Sequence, residues 1–206
     1  MIPSPRRGRA FRSLGVAVAA ASAALLWTGC QPAQPNIIKY AGHVRANSTV
    51  KIHPTAIVLH WWGGRSGGRG INTLVDVLNS RRGSVQLGTL QSGKTYQLTD
   101  TLDTRAAHAS CANSYAIGNE IEGSGNGTSS DMINNAAQFN AVVDTTDFLM
   151  RKYHIPLNGP VLAGGRGVVG VHSHKEIDAM CNRVGKVDVD NAYMNKVRAA
   201  LRARGF

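Results

Sequence analysis

The sequence predicts an α/β fold in which α-helices flank a central mixed β-sheet. Short apolar runs rich in β-branched residues alternate irregularly with segments of helical periodicity, which is typical of helices packed on a mixed sheet. The 206 residues are 43% hydrophobic and 17% charged, so the chain can build a core and wholesale disorder is excluded. The 23 glycines indicate many turns and argue against a helical bundle.

The strands of this sheet are expected at five places. The run from 56 to 62 is continuously apolar up to its histidine, as in a buried strand, and it stops at a glycine-rich segment. The segments 84–90 and 95–98 flank Gln91–Lys94 and predict a hairpin. The remaining strands are predicted over 115–122 and 168–171.

Three helices are expected from the spacing of apolar residues. They cover 72–80, a long segment from Ser129 or Ser130 to about Tyr153, and 191–204. Either serine is a plausible N-cap for the long helix. The residues of that helix expected to face the core are Ile133, Ala137, Val142 or Val143, and Phe148 or Leu149.

The first thirty residues have the organisation of an export signal. Four arginines between positions 6 and 12 precede an apolar run, so residues 1–29 are interpreted as a cleaved signal peptide. The run ends in Thr28-Gly29-Cys30, which resembles the lipobox of bacterial lipoproteins, although Trp27 departs from the aliphatic residue usual there. The resemblance implies lipid attachment at Cys30. Ordinary signal cleavage near Gly29 is the alternative.

This N-terminus predicts the organisation and the location of the mature chain. Residues 30–50 are expected to be a lipid-attached tether, and residues 51–206 the folded catalytic domain. The protein is then an exported, membrane-anchored lipoprotein of the bacterial cell envelope, facing the periplasm or the outer surface.

Charge and cysteine content limit the partners. The formal net charge of +11 falls to +7 when the four signal arginines leave, because no acidic residue leaves with them. An anionic partner is therefore favoured, and export excludes nucleic acid in favour of the membrane or a cell-wall polymer. If Cys30 carries lipid, Cys111 and Cys181 remain as an even pair in an oxidising compartment. The sequence leaves two alternatives for this pair, a disulfide bond or two free thiols.

Histidines at the ends of predicted strands are candidate metal ligands. His60 closes the strand at 56–62, and both His172 and His174 follow the strand at 168–171. A strand period of two would point the last two in one direction, so either can serve. With Asp188 they give two histidines and a carboxylate, the ligand set of a catalytic zinc that keeps one position for water. A zinc groove on one side of the sheet is expected.

Five short motifs occur in a specific order between Thr55 and Asp190. They are His60 at its strand end, Ala107-His108-Ala109, the segment 117–123 (IGNEIEG), His174-Lys175-Glu176-Ile177 and Lys186-Val187-Asp188. In this order they resemble the zinc-dependent N-acetylmuramoyl-L-alanine amidases of type 2, the family that includes the peptidoglycan recognition proteins. The resemblance implies a mixed sheet flanked by helices and hydrolysis of the amide between N-acetylmuramic acid and L-alanine of the stem peptide.

The resemblance also implies a role for each matched residue. His60, His174 and Asp188 fall at the ligands of one zinc ion per chain. Glu120 falls at the acidic residue that activates water, and Lys186 at the lysine that stabilises the transition state. His174 is preferred to His172 because Lys175-Glu176-Ile177 follows it as in the family.

Further assignments complete the sequence-based hypothesis. His108 and Trp61 are expected to contact substrate in the groove, and Glu122 is the rival of Glu120 for the role of base. The expected partners are peptidoglycan or muropeptides and, through the lipid, a membrane, with the protein a monomer. The alternative function is a catalytically inactive peptidoglycan-binding module of the same fold.

Overall fold

The computed structural model describes residues 34–45, 48–62, 69–123, 129–162, 167–183 and 188–206. They all belong to one unit, Pro32–Phe206. The predicted signal peptide at 1–29, the predicted lipid site Cys30 and the predicted catalytic Lys186 lie outside the described residues. Within the described ranges, no helix is both long and apolar enough to span a bilayer.

The described strands form one mixed sheet of seven strands. They are β1 (Ile37–Lys39), β2 (Ala56–Trp61), β3 (Leu87–Thr89), β4 (Thr95–Gln97), β5 (Ala116–Ile121), β6 (Asn158–Leu162) and β7 (Gly167–Ser173). The order across the sheet is β1-β4-β3-β5-β2-β7-β6. The hairpin β3–β4 and the pair β6–β7 are antiparallel, whereas β2 lies parallel to both β5 and β7. The prediction of a mixed sheet flanked by helices is confirmed.

Helices cover both faces of this sheet. They are α1 (Ile71–Arg81), a short 3-10 helix (Ser110–Ser114), α2 (Ser129–Asn134), α3 (Ala136–Tyr153), α4 (His174–Met180) and α5 (Asn191–Arg202). Side chains of α2, α3 and α5 form the largest core cluster with one face of β2. The 3-10 helix and α4 pack on its opposite face, and α1 packs on that same side of the sheet over β3.

The central strand β2 shows why its sequence is continuously apolar. Ile57 and Leu59 point into the cluster formed with α3 and α5, while Ala56 and Val58 point to the face covered by α4. All four are fully buried, as expected for a parallel strand covered on both faces. By the alternation of strand side chains, His60 shares the face of Ala56 and Val58.

The predicted long helix is divided into two helices at Asn135. The Asn135 side chain accepts a hydrogen bond from the backbone N–H of Gln138, which caps α3, and it donates to the backbone oxygen of Gln91. This cap begins a new helix and changes the direction of the buried face. Ala137, expected inside, is exposed, and Gln138 and Phe139 are buried instead.

The predicted tether at 30–50 differs from the structure over part of its length. Ile37–Lys39 form β1, which pairs in parallel with β4 at the edge of the sheet. Val44 is fully buried and packs with the apolar side of α1. This segment is polar enough to suggest a linker, but its few apolar side chains find partners that are distant in sequence.

A disulfide connects two segments on the His60 face of the sheet. Cys111 of the 3-10 helix is bonded to Cys181, which caps the C-terminus of α4, and the Cα atoms are 6.0 Å apart. The bond closes a chain segment with a sequence separation of 70 residues. Closing so long a segment restricts the unfolded chain strongly.

We expect the double substitution Cys111→Ser with Cys181→Ser to lower the free energy of unfolding by about 4 kcal/mol, the loop-closure value for this length. Urea unfolding of the double variant and of the wild type under oxidising conditions measures the difference. Wild-type protein in reductant is the control and should unfold at the urea concentration of the double variant. Equal midpoints for the oxidised wild type and the double variant would contradict a structural disulfide.

Candidate metal centre and groove

Three side chains from separate elements converge on one face of the sheet. His60 is the last residue but one of β2, His174 is the first residue of α4, and Asp188 precedes α5. Their ligand atoms all lie within 4.8 Å of one another. The Nδ1 atoms of the two histidines are 3.1 Å apart. Oδ2 of Asp188 lies 2.7 Å from Nδ1 of His174 and 3.8 Å from Nδ1 of His60.

The structure separates His174 from its rival His172. The two were expected to share a strand face, but β7 ends at Ser173, whose side chain accepts from the N–H of Glu176 and caps α4. His174 therefore turns with the helix toward His60. His172 remains in the strand, where its Nε2 bonds the backbone oxygen of Val169 at 2.8 Å.

Asp188 is fixed by backbone amides on the side away from the histidines. Its Oδ1 accepts hydrogen bonds from the N–H of Trp61 at 2.6 Å and from the N–H of Val189 at 3.2 Å. Burial raises the pKa of Asp188, but its contacts with His174 and His60 outweigh burial and hold that pKa below the usual 3.8. The carboxylate is therefore ionised and its Oδ2 faces the two imidazoles.

The three converging atoms fit a zinc ion. Zn–N and Zn–O distances of about 2.0–2.1 Å in a tetrahedron separate the ligands by about 3.3 Å, and the observed separations of 2.7–3.8 Å bracket that value. Behind His174, Nε2 lies 3.4 Å from Oδ1 of the buried Asp178, so a carboxylate can orient this ligand from outside. Sequence analysis missed Asp178, although its position four residues after His174 on a helix is a usable signal.

His108 contacts a member of the metal set. Its Nδ1 lies 2.8 Å from Nε2 of His60, and its Nε2 lies 3.2 Å from the backbone oxygen of Ala116. Burial of the ring lowers the pKa of His108 well below 6.5, and the neighbouring His60 and His174 lower it further. A second proton on this ring would bury a positive charge against the His60 imidazole, so the contacts fit a ring with one proton. Its two nitrogens are both engaged with protein atoms, and the ring also borders the groove, so the contact with substrate stays a prediction.

Two glutamates at the C-terminal end of β5, one inside the strand and one just after it, have different surroundings. Glu120 is the register partner of His60 across β2 and β5, and its half-buried side chain lines the groove. Glu122 is only 2% exposed, and its carboxylate accepts from the N–H of Gly70 at 3.4 Å and of Gln91 at 2.8 Å. Glu122 thus joins the start of α1 to the β3–β4 turn.

A groove of about 510 Å³ opens over the metal set between α1 and α4. Arg81 and Arg82 at the end of α1 line one side, and within the described part of the chain neither pairs with a carboxylate. A more polar cavity of about 460 Å³ adjoins it at His108 and His174 and is lined by Arg183.

The two tryptophans after His60 combine packing contacts with a place at the groove, and the contact of Trp61 with substrate stays a prediction. Trp61 also borders the groove, but its side chain packs partly against the core cluster of α3 and α5, and its backbone amide holds Asp188. The ring lies so close to Gly123 that a Cβ there would be 1.7 Å from its Nε1, so glycine is required at that position. Trp62 is buried against α1 and also borders the groove.

Comparison with known proteins agrees with this architecture. The family model of N-acetylmuramoyl-L-alanine amidases called Amidase_2 matches residues 49–187, which is more than half of the chain. No curated protein sequence matches significantly.

Solved structures share the fold at low sequence identity. The endolysin LysCS of Clostridium intestinale, an N-acetylmuramoyl-L-alanine amidase, aligns with a TM-score of 0.61 and 16% identity over 84% of this chain and 99% of its own. The Staphylococcus aureus hydrolase AmiA, solved with its ligand, aligns with a TM-score of 0.57 and 14% identity over 83% of this chain and 86% of its own. At these identities the likeness establishes the fold.

Proposed function

Because the chain belongs to the Amidase_2 family of N-acetylmuramoyl-L-alanine amidases, we propose that it hydrolyses the amide between N-acetylmuramic acid and L-alanine of peptidoglycan with a zinc ion. The observation that carries the zinc proposal is the convergence of His60, His174 and Asp188 on the floor of a groove. Family membership supports the identity of the bond that is cut, and the convergence of these residues supports the metal site.

The three side chains would hold zinc through His60 Nδ1, His174 Nδ1 and Asp188 Oδ2. Bound there, zinc would lower the pKa of a water molecule and polarise the amide carbonyl. The protein's contribution is to fix the ligand directions. The backbone N–H of Trp61 restrains Asp188, and Asp178 lies behind His174.

Glu120 is the proposed general base. It lies beside His60 in the register of β2 and β5 and lines the same groove, so its carboxylate can take a proton from the attacking water. The same oxygen then gives that proton to the amine nitrogen as the carbon–nitrogen bond breaks. Glu122 is poorly suited to this role because its carboxylate binds two backbone amides.

Lys186 is proposed to stabilise the negative charge that develops on the carbonyl oxygen. Its support is the Lys186-Val187-Asp188 motif, two residues from a proposed ligand. An ammonium aimed at charge that appears in the transition state accelerates the reaction without tightening ground-state binding.

The charge of the groove suits an acidic cell-wall substrate. Arg81 and Arg82 border it, and the mature chain expected from the sequence carries a formal charge of +7. Muropeptide stem peptides carry free carboxylates, which such a groove attracts. The alternative of an inactive peptidoglycan-binding module retains the groove but gives no reason for Glu120 beside the metal set.

The protein is further proposed to be an exported lipoprotein attached to a membrane of the cell envelope through Cys30. The support is the arginine-rich head, the apolar run and the Thr28-Gly29-Cys30 sequence. Attachment there would keep the amidase close to the wall.

Removal of a proposed ligand should remove the metal. We expect one zinc ion per wild-type chain and substoichiometric zinc in His60→Ala and His174→Ala, because two remaining ligands bind weakly. Elemental analysis after dialysis measures this. His172→Ala is the matched control and should retain zinc, since His172 bonds Val169 instead. Zinc loss in His172→Ala with retention in His174→Ala would exchange the two roles.

Substitution of the proposed base should separate catalysis from metal binding. Glu120→Gln is expected to keep zinc and to lower kcat on muropeptides by about 100-fold or more, because an amide cannot accept the proton. Lys186→Ala should also keep zinc and lower kcat. Product mass analysis identifies the bond cut.

Glu122→Gln is the control for this experiment, and its kcat should stay close to that of the wild type. Its thermal stability should fall, because the two carboxylate oxygens of Glu122 each accept from a backbone N–H and a glutamine side chain has only one acceptor oxygen. A fast Glu120→Gln with a slow Glu122→Gln would transfer the role of base. A zinc-loaded wild type that releases no stem peptide would favour the binding module.

The lipid anchor predicts membrane partition of the wild-type protein. Cys30→Ser should abolish acylation and move the protein to the soluble fraction, because a thioether-linked lipid needs the cysteine sulfur. Mass spectrometry of the mature N-terminus and fractionation of cells measure both effects. An unchanged mature mass and partition in Cys30→Ser would refute lipidation.

A further inference from the structure

We propose that His108 is a positioning residue that fixes the tautomer of His60, so that the lone pair of His60 Nδ1 faces the metal. The inference rests on the proposed zinc site and concerns how this chain prepares one ligand.

The backbone carbonyl of Ala116 fixes the donor and the acceptor in the two hydrogen bonds of His108. The backbone oxygen of Ala116 can only accept, so Nε2 of His108 carries the proton in their 3.2 Å contact. In a neutral imidazole the other nitrogen is then an acceptor. Nδ1 of His108 lies 2.8 Å from Nε2 of His60, which must therefore be the donor.

The same logic then fixes the inner nitrogen of His60. With its proton on Nε2, His60 has an unprotonated Nδ1, and this atom faces Nδ1 of His174 at 3.1 Å and Oδ2 of Asp188 at 3.8 Å. A metal ion needs that lone pair. The opposite tautomer would aim an N–H at the other two ligands and would compete with the metal.

The protein is shaped to hold His108 in this orientation. The side-chain oxygen of Asn113 accepts from the backbone N–H of His108 at 3.0 Å and of Ala109 at 2.6 Å. Gly118 lies against the ring, and a Cβ there would be 2.6 Å from Nδ1 of His108. Any larger residue at 118 would therefore displace the ring from His60. This gives a physical reason for glycine two residues before Glu120.

The two histidine ligands are thus supported in different ways. His174 has the carboxylate of Asp178 behind it, whereas His60 has a second imidazole that connects it to a backbone carbonyl. Partners of this kind set ligand orientation and tautomer, and their loss costs about 10–100-fold in metal affinity.

The test uses His108→Leu, His108→Asn and the control His172→Leu. Leucine fills similar space but cannot accept a hydrogen bond, whereas Oδ1 of asparagine occupies the place of Nδ1 and can. His172 is a matched control because it too bonds a backbone oxygen in this part of the sheet without a hydrogen bond to His60. The zinc dissociation constant is measured by chelator competition.

The tautomer itself is read on zinc-free protein from the ¹⁵N chemical shifts of His60. We expect His108→Leu to weaken zinc binding at least 10-fold and to shift His60 toward the Nδ1–H tautomer. We expect His108→Asn to stay within about 3-fold of the wild type, and His172→Leu to match it. Wild-type affinity in His108→Leu, equal losses in the Leu and Asn variants, or an equal loss in His172→Leu would overturn the proposal.

Gly118→Ala tests the same contact while keeping His108. Its methyl group should push the imidazole away from His60, so zinc affinity and the His60 tautomer should change as in His108→Leu. If His108→Leu does not fold, this variant decides, and wild-type values in it would refute the proposal. Neither measurement involves substrate, so failure of the amidase assignment and failure of the positioning role are distinguishable.

Discussion

The fold gathers three candidate metal ligands in a buried place, and the arrangement of the residues around them follows from that. Two imidazole nitrogens and an ionised carboxylate oxygen lie 2.7–3.8 Å apart on one face of the sheet. Such a group is costly to bury, because each atom has lost water and needs a proton or a metal ion between it and its neighbours. The surrounding structure must therefore hold these atoms together before the metal binds.

Each neighbouring element supplies part of that restraint. The N–H at the end of β2 binds Asp188, the capping box at Ser173 turns His174 inward, and the Cys111–Cys181 bond ties the 3-10 helix to the end of α4. The 3-10 helix begins two residues after His108. The disulfide therefore connects the segment that supports His60 with the helix that carries His174.

The environment, more than residue type, separates the roles of like side chains. Glu120 and Glu122 lie two residues apart, yet one borders the groove and the other is committed to backbone amides. His172 and His174 are also two residues apart, and the helix start between them sends them to different partners. A carboxylate bound by two amides is a structural element, whereas one at a groove wall lies where a substrate would bind.

The sequence by itself determined the fold class, the continuous burial of β2, the hairpin and the ordered set of motifs, because hydrophobic period and local turn chemistry are local properties. The tertiary structure alone decided that Asn135 begins a new helix, that Ile37–Lys39 join the sheet edge and that His108 contacts His60. It also placed Gly118 against the His108 ring. These contacts depend on which atoms meet across the sheet after folding. The direction of the hydrogen bonds at His60 is set by the backbone carbonyl of Ala116, which a pattern of side chains in the sequence does not reveal.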